Sequence, residues 1–197
     1  MANHGRYTLK PAEVKRLLFY CESLRERIII RLMVHCGLRR EEVASILVEK
    51  IDWARERISF IGKGRLAGLT PVPPSLLQDM KFFLAGRKSG YLFPAKKVRN
   101  THITITQINR IVTEIGKRAK VTSPDPNSKT GNINPHLLRH TFARMCKDAG
   151  MTVEEVQGLL RHRSFKTTYD TYGTLDYDEI QRRYQKKFLA DEQPISG

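Results

Sequence analysis

The stretch CESLRERIIIRLMVHCG, residues 21–37, restricts the fold more than any other. Ser23 and Glu26 form a capping box that starts a helix, and Gly37 can close it. Between them lies IIIRLMV, the longest apolar run of the chain. It is short and interrupted by Arg31, so it can be a buried helix but cannot span a bilayer. As a buried helix it needs other elements to cover it.

The covering elements read mainly as helices. Thr8 is a candidate N-cap for a helix through PAEVKRLLFYCES, and REEVASIL after Gly37 is a short one. Ser75 opens an amphipathic helix with Leu76, Leu77, Met80, Phe83 and Leu84 on one side and Gly86 at its end. TQINRIVTEIGKRAK places Ile108, Ile111, Val112 and Ile115 at helical spacing. TSPDPNSKTGNIN is a run of breakers and predicts an exposed loop. Two helices follow, HLLRHTFARMCKDAG and VEEVQGLLRH, the second with Thr152 and Glu155 as a capping box. A polar helix, DYDEIQRRYQKKFLA, comes last. Only RISFIGKGRLAGLTPVP changes period: residues 58–61 and 69–72 are β-like runs around a glycine-rich turn. The expectation is a mainly α protein with a small antiparallel β-sheet (α+β). It comprises an extension at residues 1–6, a domain at 7–176 and a C-terminal helix and tail at 177–197.

Charge narrows the partner. The 197 residues carry 35 Lys and Arg against 20 Asp and Glu, a formal net charge of +15. Such a bias points to a polyanion, nucleic acid first, since no basic amphipathic anchor for a membrane is present. Cys21, Cys36 and Cys146 have no zinc-ligand spacing and do not form a disulfide framework, which fits a reducing compartment. With no signal-peptide pattern, the expected location is cytoplasmic.

Four places share one chemistry. CGLRREEV sets Arg39 and Arg40 just past a helix end, IGKGR puts Lys63 at a hairpin tip, and NPHLLRH supplies His136 and Arg139 at i, i+3 on one helix face. LLRHRSFKTTYDTYG supplies His162 and Tyr172. No acid lies next to His136 and Arg139 in sequence, so the missing negative charge can belong to a ligand. Two arginines, a lysine, two histidines and a tyrosine, with no acidic pair and no metal-ligand set, suit a phosphodiester. Arginines fork onto its oxygens, a lysine or histidine delivers a proton, and a tyrosine attacks. Each piece alone has a blander reading: an Arg after a C-cap is usually solvated, and His140 reads as a buried helix histidine. Tyr169, Tyr177 and Tyr184 read as ordinary surface tyrosines.

The order of these motifs resembles the catalytic domain of the tyrosine recombinases, the phage-integrase and Xer-like family, over roughly residues 7–190. GLRxxE falls at Gly37 to Glu42, GKG at Gly62 to Gly64, HxLRH at His136 to His140, and LxH with TTxxTY at Leu160 to Tyr172. The resemblance implies that Tyr172 attacks the scissile phosphate, leaving a 3′-phosphotyrosine and a free 5′-hydroxyl. It implies that Arg39 and Arg139 clamp the phosphate, that Lys63 protonates the leaving oxygen, that His136 assists the tyrosine and that His162 donates to the phosphate. Glu42 then orients Arg39. No cofactor or metal is implied. Double-stranded DNA is the expected partner, held by a homotetramer on paired sites that can be a monomer in free solution. Residues 178–190, with Phe188 and Leu189, are a candidate arm for docking on a neighbour; packing in cis is the alternative. Rival readings are a type IB topoisomerase-like relaxing enzyme and a relative that only binds DNA.

The sequence departs from the family pattern in places. Arg161 stands where many members have Gly, and the hairpin has Leu66 and Gly68 where further Lys and Arg are usual, leaving Arg65 as a substitute for Lys63. Arg40 rivals Arg39, and Tyr169 rivals Tyr172. Most members carry a helical DNA-clamping domain of about a hundred residues ahead of this one. Here six residues precede YTLKPAEV, as expected for an excised catalytic domain or a short enzyme like the fimbrial phase-variation invertases. An oligomer or partner would complete the clamp.

Overall fold

A computed structural model describes residues 7–61, 67–95, 100–160 and 177–190. At its centre is α2 (Leu24–Val34), in which every residue from Ile28 onward is buried. Its start is a variant of the expected box. Ser23 Oγ accepts the Glu26 amide at 3.2 Å, but the Glu26 carboxylate accepts from Glu22 N–H rather than from Ser23. Gly37, at φ +61°, lets the Leu38 amide donate to the Leu32 carbonyl at 3.1 Å and closes the helix. A Cβ on Gly37 would collide with the Phe142 ring, so this turn requires glycine twice over.

Arg31, which interrupts the apolar run, is buried and fully engaged. Its guanidinium donates to Asp79 at 2.9 Å and Ser75 at 2.5 Å, and Nε approaches His35 Nδ1 at 3.5 Å. Both oxygen partners lie on α4 (Pro74–Leu84), so the charge fastens two helices.

α1 (Pro11–Phe19) begins at Pro11, not after Thr8 as its hydroxyl suggested. Proline suits the first helical position, and the Glu13 carboxylate accepts the Lys10 amide at 2.7 Å, taking over the capping. α3 (Arg40–Ala44) follows the turn at Gly37. The sheet is antiparallel in the order β1 (Ile51–Asp52), β2 (Arg57–Ile61), β3 (Ala67–Pro71). β1 escaped the sequence reading because two residues carry no period. Thr70 in β3 donates to the Cys36 carbonyl at 3.0 Å, tying the sheet to the end of α2.

α5 (Ile105–Arg118), α6 (Pro135–Asp148) and α7 (Val153–Leu160) match the three expected helices. Asn134 caps α6 by accepting the Leu137 amide at 3.0 Å, and Thr152 and Glu155 form the expected box ahead of α7. α8 (Tyr177–Ala190) packs in cis onto α6 and α7 through Ile180 and Tyr184. Tyr184 is not a surface tyrosine: it is wholly buried, and its hydroxyl donates to the His35 carbonyl. The i, i+4 pair Ile180 and Tyr184 is the apolar stripe of a helix whose polar residues dominate its composition.

His35 is buried beside two cations. Burial first, then Arg31 and Arg27, push its pKa down to about 3, so the folded state holds it neutral. The unfolded chain binds this proton near pH 6.5 and the folded one does not, so stability falls as pH drops through the interval between. Between pH 7 and 5 the unfolding free energy should drop by about 2 kcal/mol from this group alone, above the range where most carboxylates titrate. Urea melts across that interval check it, and His35→Gln should flatten the dependence.

Candidate active site

The loop after α2, the first turn of α3 and the start of α6 meet around one carboxylate. Glu42 is buried; its Oε2 accepts the Arg39 backbone amide at 2.7 Å and its Oε1 accepts from Arg39 Nη1 at 3.0 Å. The same carboxylate lies 3.9 Å from Arg139 Nη1. Arg39 is the N-cap of α3, where the helix dipole favours an acid such as Glu42 within the first turn. The sequence expectation that Glu42 orients Arg39 is therefore visible as two hydrogen bonds.

Arg139 is only 8 % exposed and points into the joint between elements. Nη1 donates to the Gly37 carbonyl and Nη2 to the Leu160 carbonyl at 2.5 Å. It thus does not stand beside His136 on one solvent-facing surface as the i, i+3 spacing suggested. His136 is exposed in the first turn of α6, whereas Arg139 turns inward to two helix ends.

An open cleft of about 720 Å³ is lined by Arg40, Asn109, Thr113, Asn134, Pro135, His136 and His140. Arg40 donates to Glu41 at 2.8 Å and to Asn109 at 3.4 Å, which holds its guanidinium at the cleft wall. His140, expected to be buried, is half-buried and reaches this wall. Asn109 and Thr113 were missed as site residues. Their signal was their i, i+4 spacing on a polar flank of α5, beside the apolar stripe of Ile108 and Val112.

Electrostatically the cleft favours an anion. The acids absent from the His136 neighbourhood in sequence arrive from α3, yet three guanidinium groups still face two carboxylates there. Although its surface is open to solvent, partial enclosure by the cleft wall, followed by Arg40, Arg139 and Arg39, lowers the His136 pKa, against an opposing pull from Glu41. The imidazole is neutral at pH 7 and can accept or relay a proton. Burial pushes the Glu41 carboxyl upward, but the Arg40 hydrogen bond prevails and holds it below the usual range.

Lys63, His162 and Tyr172 lie outside the described residues. Of the neighbouring described residues, Ile61 pairs with Ala67 in the sheet, and the Leu160 carbonyl accepts from Arg139.

The sequence model of the phage integrase family matches residues 7–179. The chain belongs to this family, the tyrosine recombinases. Tyrosine recombinase XerA of Pyrococcus horikoshii is 29% identical over 191 residues, covering 93% of this chain and 62% of that protein. Tyrosine recombinase XerC of Corynebacterium glutamicum is 33% identical over 150 residues, covering 75% and 46%. The chain thus spans about half to three-fifths of the length of these relatives. Among solved structures, the integrase from mycobacterium phage Brujita superposes with a TM-score of 0.73 at 23% identity, over 89% of this chain and 55% of that one. XerH site-specific recombinase bound to difH substrate gives 0.64 at 20% identity, over 89% and 52%. These likenesses place the fold with the catalytic domains of the family.

Removing the Arg139 side chain leaves the Gly37 and Leu160 carbonyls without these donors and Glu42 with one cation fewer. Arg139→Ala should lower the unfolding free energy by about 3–5 kcal/mol with no DNA present. Arg139→Lys, which cannot fork onto two carbonyls, should recover less than half of that in the same denaturant titration.

Proposed function

We propose that this chain is the catalytic domain of a site-specific DNA recombinase, cutting and rejoining strands through a 3′-phosphotyrosine without metal or nucleotide. The observation that carries the reading is the Arg39–Glu42–Arg139 cluster, near enough to His136 to help hold it neutral, with His136 and Arg40 lining an open cleft. Relatives with this fold were solved with DNA, among them XerH in a pre-cleavage complex with difH substrate and the Tn1549 transposon integrase with transposon right end DNA.

In this mechanism Tyr172 attacks the scissile phosphorus. The P–O bond to the 5′-oxygen breaks as the bond to the phenolic oxygen forms, and Lys63 gives its proton to the departing 5′-oxygen. A tyrosine has an ordinary pKa near 10, so it needs a proton acceptor and a cationic surround to attack at neutral pH. His136 takes the phenolic proton. Arg39, Arg139 and His162 meet the charge on the nonbridging oxygens, where donors fixed in advance stabilise the transition state more than water does. Rejoining reverses these steps with the hydroxyl of a partner strand, so the phosphoester bond energy is conserved.

Strand exchange between two sites implies a tetramer on paired duplexes. Ile180 and Tyr184 hold the first turns of α8 to their own chain.

Two duplexes of different length, each carrying a candidate site, should yield joined strands of two new lengths in the presence of excess EDTA. Relaxation of a plasmid without such joints would favour the topoisomerase-like reading, and binding without either product the binding-only one. The acid limb of the cleavage rate should fall at lower pH than that of an ordinary histidine, because the His136 pKa is depressed. His136→Gln should slow cleavage by about 10²–10⁴ and abolish that acid limb.

A further inference from the structure

α5 has a cleft on each flank. By helical arithmetic Asn109 and Thr113 point about 100–140° to one side of buried Ile108, toward the catalytic cleft. Gln107 and Ile111 point to the other side and Arg110 crowns the ridge between. Along that other flank lies a smaller cleft of about 170 Å³, lined by Arg25, Ala95, Ile103, Gln107, Arg110 and Ile111. It is large enough for several waters or a small anion, a water taking about 30 Å³.

Among the described residues no carboxylate lines this cleft, although two arginines do. Arg25, in the first turn of α2, has a buried Nε with no hydrogen-bond partner among the described residues. A buried, unpartnered guanidinium N–H is rare and calls for a ligand. Burial is the one influence that moves its pKa, downward, with no acid to oppose it. Arg110 is exposed at the rim, with no acid paired to it among the described residues. Gln107 has its Oε1 occupied by the Thr104 amide at 3.0 Å and hydroxyl at 3.3 Å, which leaves the amide N–H groups to donate. Ala95, Ile103 and Ile111 supply apolar walls, and their low polarity strengthens charge-assisted bonds to whatever enters. The polar side chains that line the cleft among the described residues all offer donors, and two of them are cations.

We infer that this cleft holds a phosphodiester of the bound duplex other than the scissile one, clamped by Arg25 and Arg110 with Gln107 as a third donor. The inference rests on the DNA reading above and adds a second anchor to it. The two clefts are separated by the width of one helix, about 10–12 Å, which is a fraction of the roughly 34–36 Å turn of a duplex. One DNA segment can therefore occupy both, with α5 lying against it. A phosphate fixed on this flank sets the rotation of the duplex about its axis, and so which phosphate presents itself to Arg39 and Arg139.

The test is the salt dependence of binding, which requires no knowledge of the target site. Fluorescence anisotropy of a labelled duplex of arbitrary sequence, titrated with the chain across NaCl concentrations, gives the slope of log Kd on log salt. Each phosphate that is no longer neutralised makes the slope shallower by about 0.9. Arg110→Gln should show most of that change. Arg25→Gln and Arg110→Gln together should shift the slope by no more than the value for about one phosphate, since both serve the same group. Between about 50 and 200 mM salt, the wild-type Kd should then rise about 3.5-fold more than that of the double variant. Lys147→Gln, an exposed cation at the far end of α6, should keep the wild-type slope. A steep wild-type slope that the double variant retains, or an equal decrease in Lys147→Gln, overturns the inference and leaves the DNA reading standing. A wild-type chain that does not bind the duplex removes both. If Arg25→Gln fails to fold, Arg110→Gln alone decides, because its side chain is exposed.

Discussion

The Arg139 guanidinium is the joint on which the rest of the site depends. It takes a carbonyl from the turn that ends α2, a carbonyl from the last residue of α7, and a place beside the carboxylate that caps α3. Helix ends expose carbonyls that no internal donor can reach. Here a cation inserted from α6 takes up one carbonyl from the turn after α2 and one from α7, and brings three elements to one point. Structural and chemical roles are therefore difficult to separate in this residue, and loss of it disturbs both.

Glu42 makes this arrangement tolerable. Three guanidinium groups and an imidazole would repel one another if left alone, and burying one of them without an acid costs several kcal/mol. Glu42 and Glu41 remove most of that repulsion but not all of it. The residual positive charge is what an incoming phosphate would neutralise, and after partial enclosure it is the second influence that keeps His136 deprotonated near pH 7. A cleft that is cationic yet contains a neutral imidazole is suited to accepting the proton of a tyrosine while stabilising a pentavalent phosphate.

Much of this was legible in the sequence. Capping residues and apolar spacing marked α2, α5, α6 and α7, because helix ends and stripes depend on local chemistry. The GLRxxE and HxLRH stretches marked Arg39, Glu42, His136 and Arg139 as one group. What the sequence hid was long-range. The inward turn of Arg139 depends on carbonyls 102 and 21 residues away. Tyr184 looked like surface decoration on a polar helix, since its partner is a backbone carbonyl 149 residues distant. β1 has two residues and no pattern. Thr8 was outcompeted as a cap by the fixed φ of Pro11 and the reach of Glu13, a local contest that residue preference alone misjudged.

The central claim is that this site makes and breaks a phosphotyrosine bond, and covalent capture addresses it directly. The chain would be incubated with nicked duplexes in EDTA, and a DNA-linked band sought on a denaturing gel, with Tyr172→Phe and Tyr169→Phe alongside. The account predicts a band that disappears in Tyr172→Phe and persists in Tyr169→Phe. A band that survives Tyr172→Phe would contradict the assignment of the nucleophile, and no band on any duplex that the chain binds would contradict the chemistry itself.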